Sequence, residues 1–179
     1  MNFSDKMFSV DAGSPGSAVK IAAGLKAFSG NNEIVLLCIG TERVRGDSLG
    51  PTVGGIVFKR ALPNVFVYGL PESNVTARNL TVAVDFVAAI HPERLLVVVD
   101  AALGMREQVG TVQIVKGGLS PGSATNKNLP NVGDVGVLGV VNEGFLNEMQ
   151  TLISTKMNKV HFTAAVIAAG ICKAFGGME

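Results

Sequence analysis

Short runs of aliphatic residues alternate with amphipathic segments along this chain, and that alternation restricts the fold more than any other feature. The strongest run is 95–99 (LLVVV), followed by Asp100, and another is 33–39 (EIVLLCI). Short runs rich in β-branched residues are typical of strands buried on both faces of a sheet. Similar reasoning predicts further strands at 65–68, 111–115 and 135–141, and helices at 16–28, 49–61, 76–90, 143–154 and 160–175.

The alternation of strands and helices predicts a three-layer α/β/α sandwich with a mostly parallel sheet. A length of 179 residues fits a single domain over 1–179, in which we expect residues 1–14 to be loosely ordered. The chain is 47% hydrophobic and only 16% charged. Intrinsic disorder is excluded, because disorder requires low hydrophobicity and high net charge.

Charge and hydropathy also restrict the partners and the compartment. A net charge of +1 gives no attraction to nucleic acid or to an anionic membrane. The longest apolar run, 164–172, is too short to cross a bilayer, and the first residues (MNFSDK) contain no apolar signal core. The two cysteines are far apart, which disfavours a disulfide framework. We therefore expect a cytoplasmic protein.

Two aspartates follow predicted strands and are candidate catalytic residues. Asp47 lies in the loop after strand 33–39, and Asp100 ends strand 95–99. Ligands of open α/β sheets bind at the carboxyl ends of the strands, so the two carboxylates would meet if these strands are neighbours. Such a pair can share a proton and hydrolyse an amide by general acid–base catalysis. The structural alternative makes Asp47 a helix N-cap and Asp100 a partner of loop amides.

Loop 40–51 connects a strand to a helix, a place where phosphates bind, but its glycines match neither the Walker A nor the GxGxxG spacing. His91 and His161 do not have the spacing of metal ligands. The sequence therefore predicts no metal and no cofactor.

Substrate-binding residues are predicted in two loops. The segment 117–133 (GGLSPGSATNKNLPNVG) is long, and a long loop in a compact domain usually has a function. Within it, Lys127 and Asn126 are candidates to orient a substrate. In the earlier loop, Arg43 could pair with a substrate carboxylate. The alternative for these residues is an ordinary solvated surface.

Four segments resemble the YyaC family of sporulation proteins, which occurs in spore-forming bacteria and includes proteins described as spore peptidases. They are CIGTERVRGDSLGPTVG (38–54), VYGLPESNVTARNL (67–80), VVVDAALG (97–104) and PGSATNKNLPNVGDVGVLGVVN (121–142). The resemblance covers nearly the whole chain from about residue 34. This family is similar in turn to the spore germination protease and the hydrogenase maturation peptidase. The resemblance therefore implies their phosphorylase/hydrolase-like α/β fold.

The resemblance also implies an activity. The proposed catalytic aspartates of the germination protease lie in sequences like Asp47-Ser-Leu-Gly-Pro51 and Val99-Asp100-Ala-Leu. They correspond to Asp47 and Asp100 here. In the hydrogenase maturation peptidase, acidic residues at these positions hold nickel together with a histidine. This chain has no histidine matched to that third position, so the resemblance implies an aspartate-dependent peptidase without a metal.

Three functions remain open at this point. The first is a sporulation-associated peptidase that uses the aspartate pair on a peptide or a small spore protein. The second is a catalytically inactive hydrolase-fold module that binds a peptide or protein partner during sporulation. The third is a small-molecule or phosphate hydrolase. The apolar faces of 16–28 and 160–175 also suggest a homodimer, because they exceed what one core needs.

Overall fold

A computed structural model describes residues 8–28, 30, 33–119, 131–144 and 147–177. Within these residues the strands are β1 (Phe8–Asp11), β2 (Ile34–Cys38), β3 (Val65–Tyr68), β4 (Leu95–Gly104), β5 (Thr111–Lys116) and β6 (Val135–Glu143). The α-helices are α1 (Ser17–Lys26), α2 (Leu49–Phe58), α3 (Leu80–Ile90), α4 (Glu148–Ser154) and α5 (Met157–Phe175). None of these described helices has the length and hydropathy that crossing a membrane requires.

The strands form one sheet in the order β1-β5-β6-β4-β2-β3. The strands β6, β4, β2 and β3 are parallel, whereas β5 and β1 add an antiparallel edge. Leu37 of β2 lies opposite Val98 of β4, so the two strands that precede the candidate aspartates are direct neighbours. The predicted mostly parallel sheet is confirmed, and the adjacency that the aspartate hypothesis required is present.

Helices cover both faces of the sheet and complete three layers. Ile21 of α1, Val53 of α2 and Ile167 of α5 belong to one buried cluster, and Val87 of α3 belongs to another. Successive residues of β2 alternate between the two clusters, which is the period of two that a doubly covered strand requires. The predicted α/β/α sandwich is confirmed.

The amino-terminal prediction is wrong where the structure describes it. Residues 1–14 were expected to be loosely ordered, but Phe8–Asp11 form β1 and pair antiparallel with β5. Val10 is buried opposite Val112. A four-residue strand with one buried side chain has too little pattern to be recognised before its neighbour is known.

Several element boundaries also differ from the prediction, and three of them have a local reason. Strand β4 continues past residue 99 because β6 continues beside it to Glu143, a residue predicted to be helical. Helix α3 begins at Leu80, because Asn79 Oδ1 accepts a hydrogen bond from the backbone N–H of Thr76 at 2.8 Å and holds a turn. Helix α4 begins only after Asn147, whose side chain caps it.

The apolar faces of α1 and α5 pack against each other within the chain. Gly170 of α5 leaves room for Ile21 of α1, since a Cβ at Gly170 would lie 2.4 Å from the Ile21 Cγ2 atom. The faces that suggested a homodimer are therefore used in the core. The homodimer itself stays a prediction.

Candidate active site

Asp47 lies in a tightly held loop over the end of β2. After β2 the chain forms a short 3₁₀ turn, Gly46–Ser48, which leads directly into α2. The backbone N–H of Thr41 donates to Asp47 Oδ2 at 2.9 Å. A Cβ at Gly50 would lie 2.0 Å from the backbone oxygen of Ile39, so this glycine lets α2 approach the strand. Gly50 is thus required for the close packing of α2 against the end of β2.

The carboxylate of Asp47 is not consumed as a helix cap. Ser48 occupies the N-cap position of α2, and no side-chain hydrogen bond caps that helix. The Asp47 side chain is partly exposed and bonds across its own loop. The alternative prediction, in which Asp47 is the N-cap of the following helix, is therefore wrong. The carboxylate retains accessible acceptor positions.

Asp100 lies inside β4 and not at its end, which corrects the predicted position. It pairs with Leu138 of β6 and is only 9% exposed. Its Oδ1 atom accepts a hydrogen bond from the backbone N–H of Ala101 at 2.8 Å. Strand β2 pairs with β4 only as far as Val99, so Asp100 is the first residue of β4 beyond the end of its neighbour. The Asp100 side chain therefore lies at the point where the pairing of β4 with β2 ends.

The two aspartates line one cavity of about 570 Å³ at the carboxyl ends of β2 and β4. Its other walls come from the loop after β2, the loop before α3 and one face of α4. They are formed by Ile39, Gly40, Thr41, Arg43, Val44, Asn74, Thr76, Ala77, Arg78, Met149 and Leu152. The cavity thus lies at the edge of the sheet where the sequence predicted a site.

Burial raises the pKa values of the two carboxyl groups to different extents. Burial raises the pKa of Asp100 to about 8, and the neighbouring charge of Asp47 adds to that rise, while the Ala101 N–H opposes it. Burial also raises the pKa of Asp47, and the Thr41 N–H opposes that rise. With a pKa of about 8, Asp100 holds its proton at neutral pH and Asp47 is the group that ionises first. This is the arrangement of an acid and a base in one site.

Two arginines lie at the rim of the cavity. Arg43, a predicted substrate-binding residue, is exposed in the loop after β2. Arg78 is exposed in the loop before α3 and was missed. Asn74 was missed as well; its Oδ1 accepts a hydrogen bond from the Thr41 hydroxyl at 3.1 Å, which ties the two loops together. The rule that selected the aspartates applies equally to the loop after β3 and could have found both residues.

The other two predicted substrate-binding residues, Asn126 and Lys127, lie outside the described residues. The described part of their loop includes Leu119 and Val132, whose backbones bridge in antiparallel fashion. The role of Asn126 and Lys127 stays a prediction.

Neither histidine lines the cavity. His91 is buried at the end of α3, where its Nδ1 lies 2.7 Å from Glu33 Oε2 and its Nε2 lies 2.9 Å from the Tyr68 hydroxyl. His161 is exposed on α5. Among the described residues, no group of three or more His, Cys, Asp or Glu could hold a metal ion. These donors do not fit a nickel site with a histidine ligand.

Residues 17–170 match the model of a family described as a protein of unknown function, DUF1256. This chain belongs to the DUF1256 family. It is 39% identical over 138 residues to the uncharacterized protein YyaC of Bacillus subtilis (strain 168), an alignment that covers 77% of this chain and 67% of the relative. The resemblance predicted from the sequence motifs is therefore confirmed.

The fold of this DUF1256 protein is similar to the crystal structure of a [NiFe] hydrogenase maturation protease, HycI, from Thermococcus kodakarensis KOD1. The TM-score is 0.54 at 21% sequence identity, and the superposition covers 82% of this chain and 97% of the other. At that identity the similarity shows the fold alone. The protease-type α/β fold implied by the family resemblance is thus confirmed.

Proposed function

We propose that this protein hydrolyses peptide bonds with Asp47 as the general base and Asp100 as the general acid. The observation that carries the proposal is the cavity that both side chains line, in which burial raises the pKa of Asp100 to about 8. An unperturbed aspartic acid is almost fully ionised at neutral pH, whereas an acid with this pKa remains about nine-tenths protonated at pH 7. Asp100 can therefore donate a proton under physiological conditions.

The chemistry follows from these two protonation states. The Asp47 carboxylate removes a proton from a water molecule, and the water oxygen attacks the carbonyl carbon of the scissile amide. Asp100 donates its proton to the amide nitrogen as the C–N bond breaks, which releases a new carboxyl group and an amine. Transfer of the proton from Asp47 to Asp100, through solvent, restores the starting state. General acid–base catalysis of this kind contributes about 100-fold or more to a rate.

The proposed substrate is a peptide or a small spore protein in a sporulating cell. Its support is the resemblance of the motifs at 38–54 and 97–104 to sporulation proteins. The description of the structural neighbour as a protease supports peptide-bond hydrolysis in the same way. The proposed location is the cytoplasm, because Cys38 and Cys172 are free thiols, as is usual in a reducing compartment.

The test is cleavage of peptide libraries and purified small spore proteins, followed by mass spectrometry. We expect the wild-type protein to cleave, and Asp47→Asn or Asp100→Asn to lower the rate about 100-fold. Asp134→Asn is a matched control, because Asp134 accepts a hydrogen bond from the Leu96 N–H, at the other end of β4. Cleavage that survives both site substitutions would reject the mechanism. Binding without cleavage, unchanged in both variants, would favour the inactive binding module.

A further inference from the structure

Strand β3 forms one edge of the sheet, and no strand in the described part of the chain pairs with its outer side. Its sequence, VFVY, contains no charged residue and no proline. Natural sheet edges usually carry such residues, because an open apolar edge pairs readily with other strands. The opposite edge strand, β1, ends with the charged Asp11. The outer side of β3 therefore remains competent for strand pairing.

Alternate residues of β3 direct their backbone groups to this open side. The Ile34 N–H of β2 donates to the Asn64 carbonyl at 2.9 Å, and Ile34 is in register with Val65. In a parallel pair with this register the even-numbered residues of β3 bond to β2, so Val65 and Val67 point outward. The Val65 N–H reaches only the Leu62 carbonyl, at 3.4 Å. The Val65 carbonyl and both backbone groups of Val67 face the position of an added strand.

Helix α3 exposes an apolar stripe beside this edge. Val82, Phe86 and Ile90 are spaced four residues apart on one side of the helix, and each is more than half exposed. The Phe86 ring lies 6.0 Å from the ring of Tyr68 in β3, so the stripe adjoins the edge strand. Phe66 lies on the same face of the sheet as Tyr68, because the two are separated by two positions in the strand. Phe66 thus extends the apolar surface onto β3.

The α2 side of the edge is apolar as well. A Cβ at Gly55 would lie 3.5 Å from Pro71, in the turn after β3, so this side of α2 faces the edge. Phe58 is about one helical turn further along the same side and is 59% exposed. Phenylalanine has about 200 Å² of side-chain surface, so the exposed parts of Phe58, Phe66 and Phe86 amount to roughly 300 Å². A stable interface takes about 800 Å² from each partner, so these three side chains supply more than a third of it.

The segments that enter and leave β3 carry charges of opposite sign. Lys59 and Arg60 precede the strand and Glu72 follows it, and all three are exposed. None of them forms an ion pair within the described part of the chain. A strand that pairs antiparallel with a copy of itself brings its acidic end to the basic end of the copy. This edge is therefore complementary to itself under two-fold symmetry.

We propose that two copies of this chain associate through β3, which pairs antiparallel with the β3 of the second copy and joins the two sheets. Pairing of Val65 with the partner's Val67 uses the outward groups of both strands and places Phe66 opposite the partner's Phe66. Arg60 and Glu72 lie at equal distances before and after Phe66, so the same register brings Glu72 to the level of the partner's Arg60. The apolar stripes of the two α3 helices then lie on one face of the joined sheet.

The first test is the mass of the protein in solution, measured by sedimentation velocity over a dilution series. We expect the wild-type protein to have the mass of two chains, and Phe86→Ser to raise the dissociation constant at least about tenfold. Phe162→Ser is the matched control. Phe162 is 53% exposed where Phe86 is 54% exposed, but it lies on α5 near β1, at the opposite edge of the sheet. A wild-type protein that is monomeric at every concentration, or equal losses in the two variants, would overturn the proposal.

Charge exchange tests whether the partner is a second copy in the antiparallel orientation. Glu72→Lys alone, or Lys59→Glu together with Arg60→Glu, places like charges opposite each other, so each protein should dimerise about tenfold more weakly. A mixture of the two proteins should restore the wild-type affinity, because both contacts then join opposite charges. A mixture that associates no better than its separate components would overturn the antiparallel arrangement.

Amide hydrogen exchange, followed by nuclear magnetic resonance, identifies the pairing strand. In the dimer the Val67 N–H is bonded to the partner, whereas the Phe66 N–H is bonded to β2 in monomer and dimer alike. The Val67 amide should exchange at least about tenfold faster in monomeric Phe86→Ser than in the wild-type dimer, and the Phe66 rate should change little. An unchanged Val67 rate, or equal acceleration of both amides, would overturn the pairing of β3.

Discussion

Replacing Asp100 with asparagine should stabilise the protein in a manner that depends on pH. In the folded protein, burial and the charge of Asp47 raise the pKa of Asp100 from 3.8 to about 8. Between those pH values the folded chain holds a proton that the unfolded chain has lost, so stability falls as pH rises. The stabilising contribution is complete below about pH 4 and is lost as the pH passes about 8. At 1.36 kcal/mol per pKa unit, the whole range is worth at most about 6 kcal/mol.

Asparagine has a similar size and carries no charge at any pH, so Asp100→Asn removes this dependence. We expect wild type and variant to have similar free energies of unfolding near about pH 4. The variant should then gain about 1.4 kcal/mol over wild type per pH unit, up to about pH 8, and no more above it. Urea denaturation followed by circular dichroism, repeated between about pH 4 and about pH 9, measures the difference.

A non-titrating control makes this result decisive. Val137 of β6 is fully buried and pairs with β4, the strand that carries Asp100. Val137→Ala should lower the free energy of unfolding by about 2 kcal/mol, and this loss should be the same at every pH. If the difference between wild type and Asp100→Asn were equally constant with pH, Asp100 would titrate normally in the folded protein. Burial and the charge of Asp47 would then not raise the pKa of Asp100.

Three further predictions concern activity and packing. Peptide hydrolysis should show a bell-shaped dependence of kcat/KM on pH with an alkaline limb near pH 8, where Asp100 ionises; a rate that keeps rising past about pH 9 would contradict its role as the acid. Gly50→Ala should lower the melting temperature strongly, because the added methyl would lie 2.0 Å from the backbone oxygen at the end of β2, whereas Gly55→Ala, with 3.5 Å to its nearest neighbour, should be tolerated. Ile21→Ala should cost about 2–5 kcal/mol in urea denaturation, since Ile21 is fully buried. Val19→Ala on the exposed side of the same helix should change stability by less than about 0.5 kcal/mol, and similar losses for the two would contradict the packing of α1 on α5.

The sheet and the position of the two aspartates at one cavity could be predicted, because their signals in the sequence are local. Continuous aliphatic runs identify β2 and β4 as strands buried on both faces, since few other structures bury five consecutive residues. The position of a ligand site at the carboxyl ends of such strands follows from the fold class. Asp47 lies in the loop after the first run and Asp100 directly follows the second, so the sequence alone places both at one edge of the sheet.

The extension of β4 beyond residue 99 could not be predicted, because it depends on pairing with β6, which lies far away in the sequence. Ala101, Ala102 and Gly104 have weak strand preference, and their extended conformation depends on pairing with β6. Strand β1 depends in the same way on β5. The roles of Asn74 and Arg78 depend on how two loops fold toward each other, which no periodicity in the sequence records.

In the proposed mechanism Asp47 and Asp100 share one proton at neutral pH, and Asp100 holds it. The most direct measurement is the titration of the Asp100 carboxyl carbon by ¹³C nuclear magnetic resonance, in the wild-type protein and in Asp47→Asn. We expect a pKa of about 8 for Asp100 in the wild type and a lower value in the variant, because the charge of Asp47 is then gone. A wild-type Asp100 that titrates near its ordinary value of 3.8 would contradict the assignment of the shared proton to this residue.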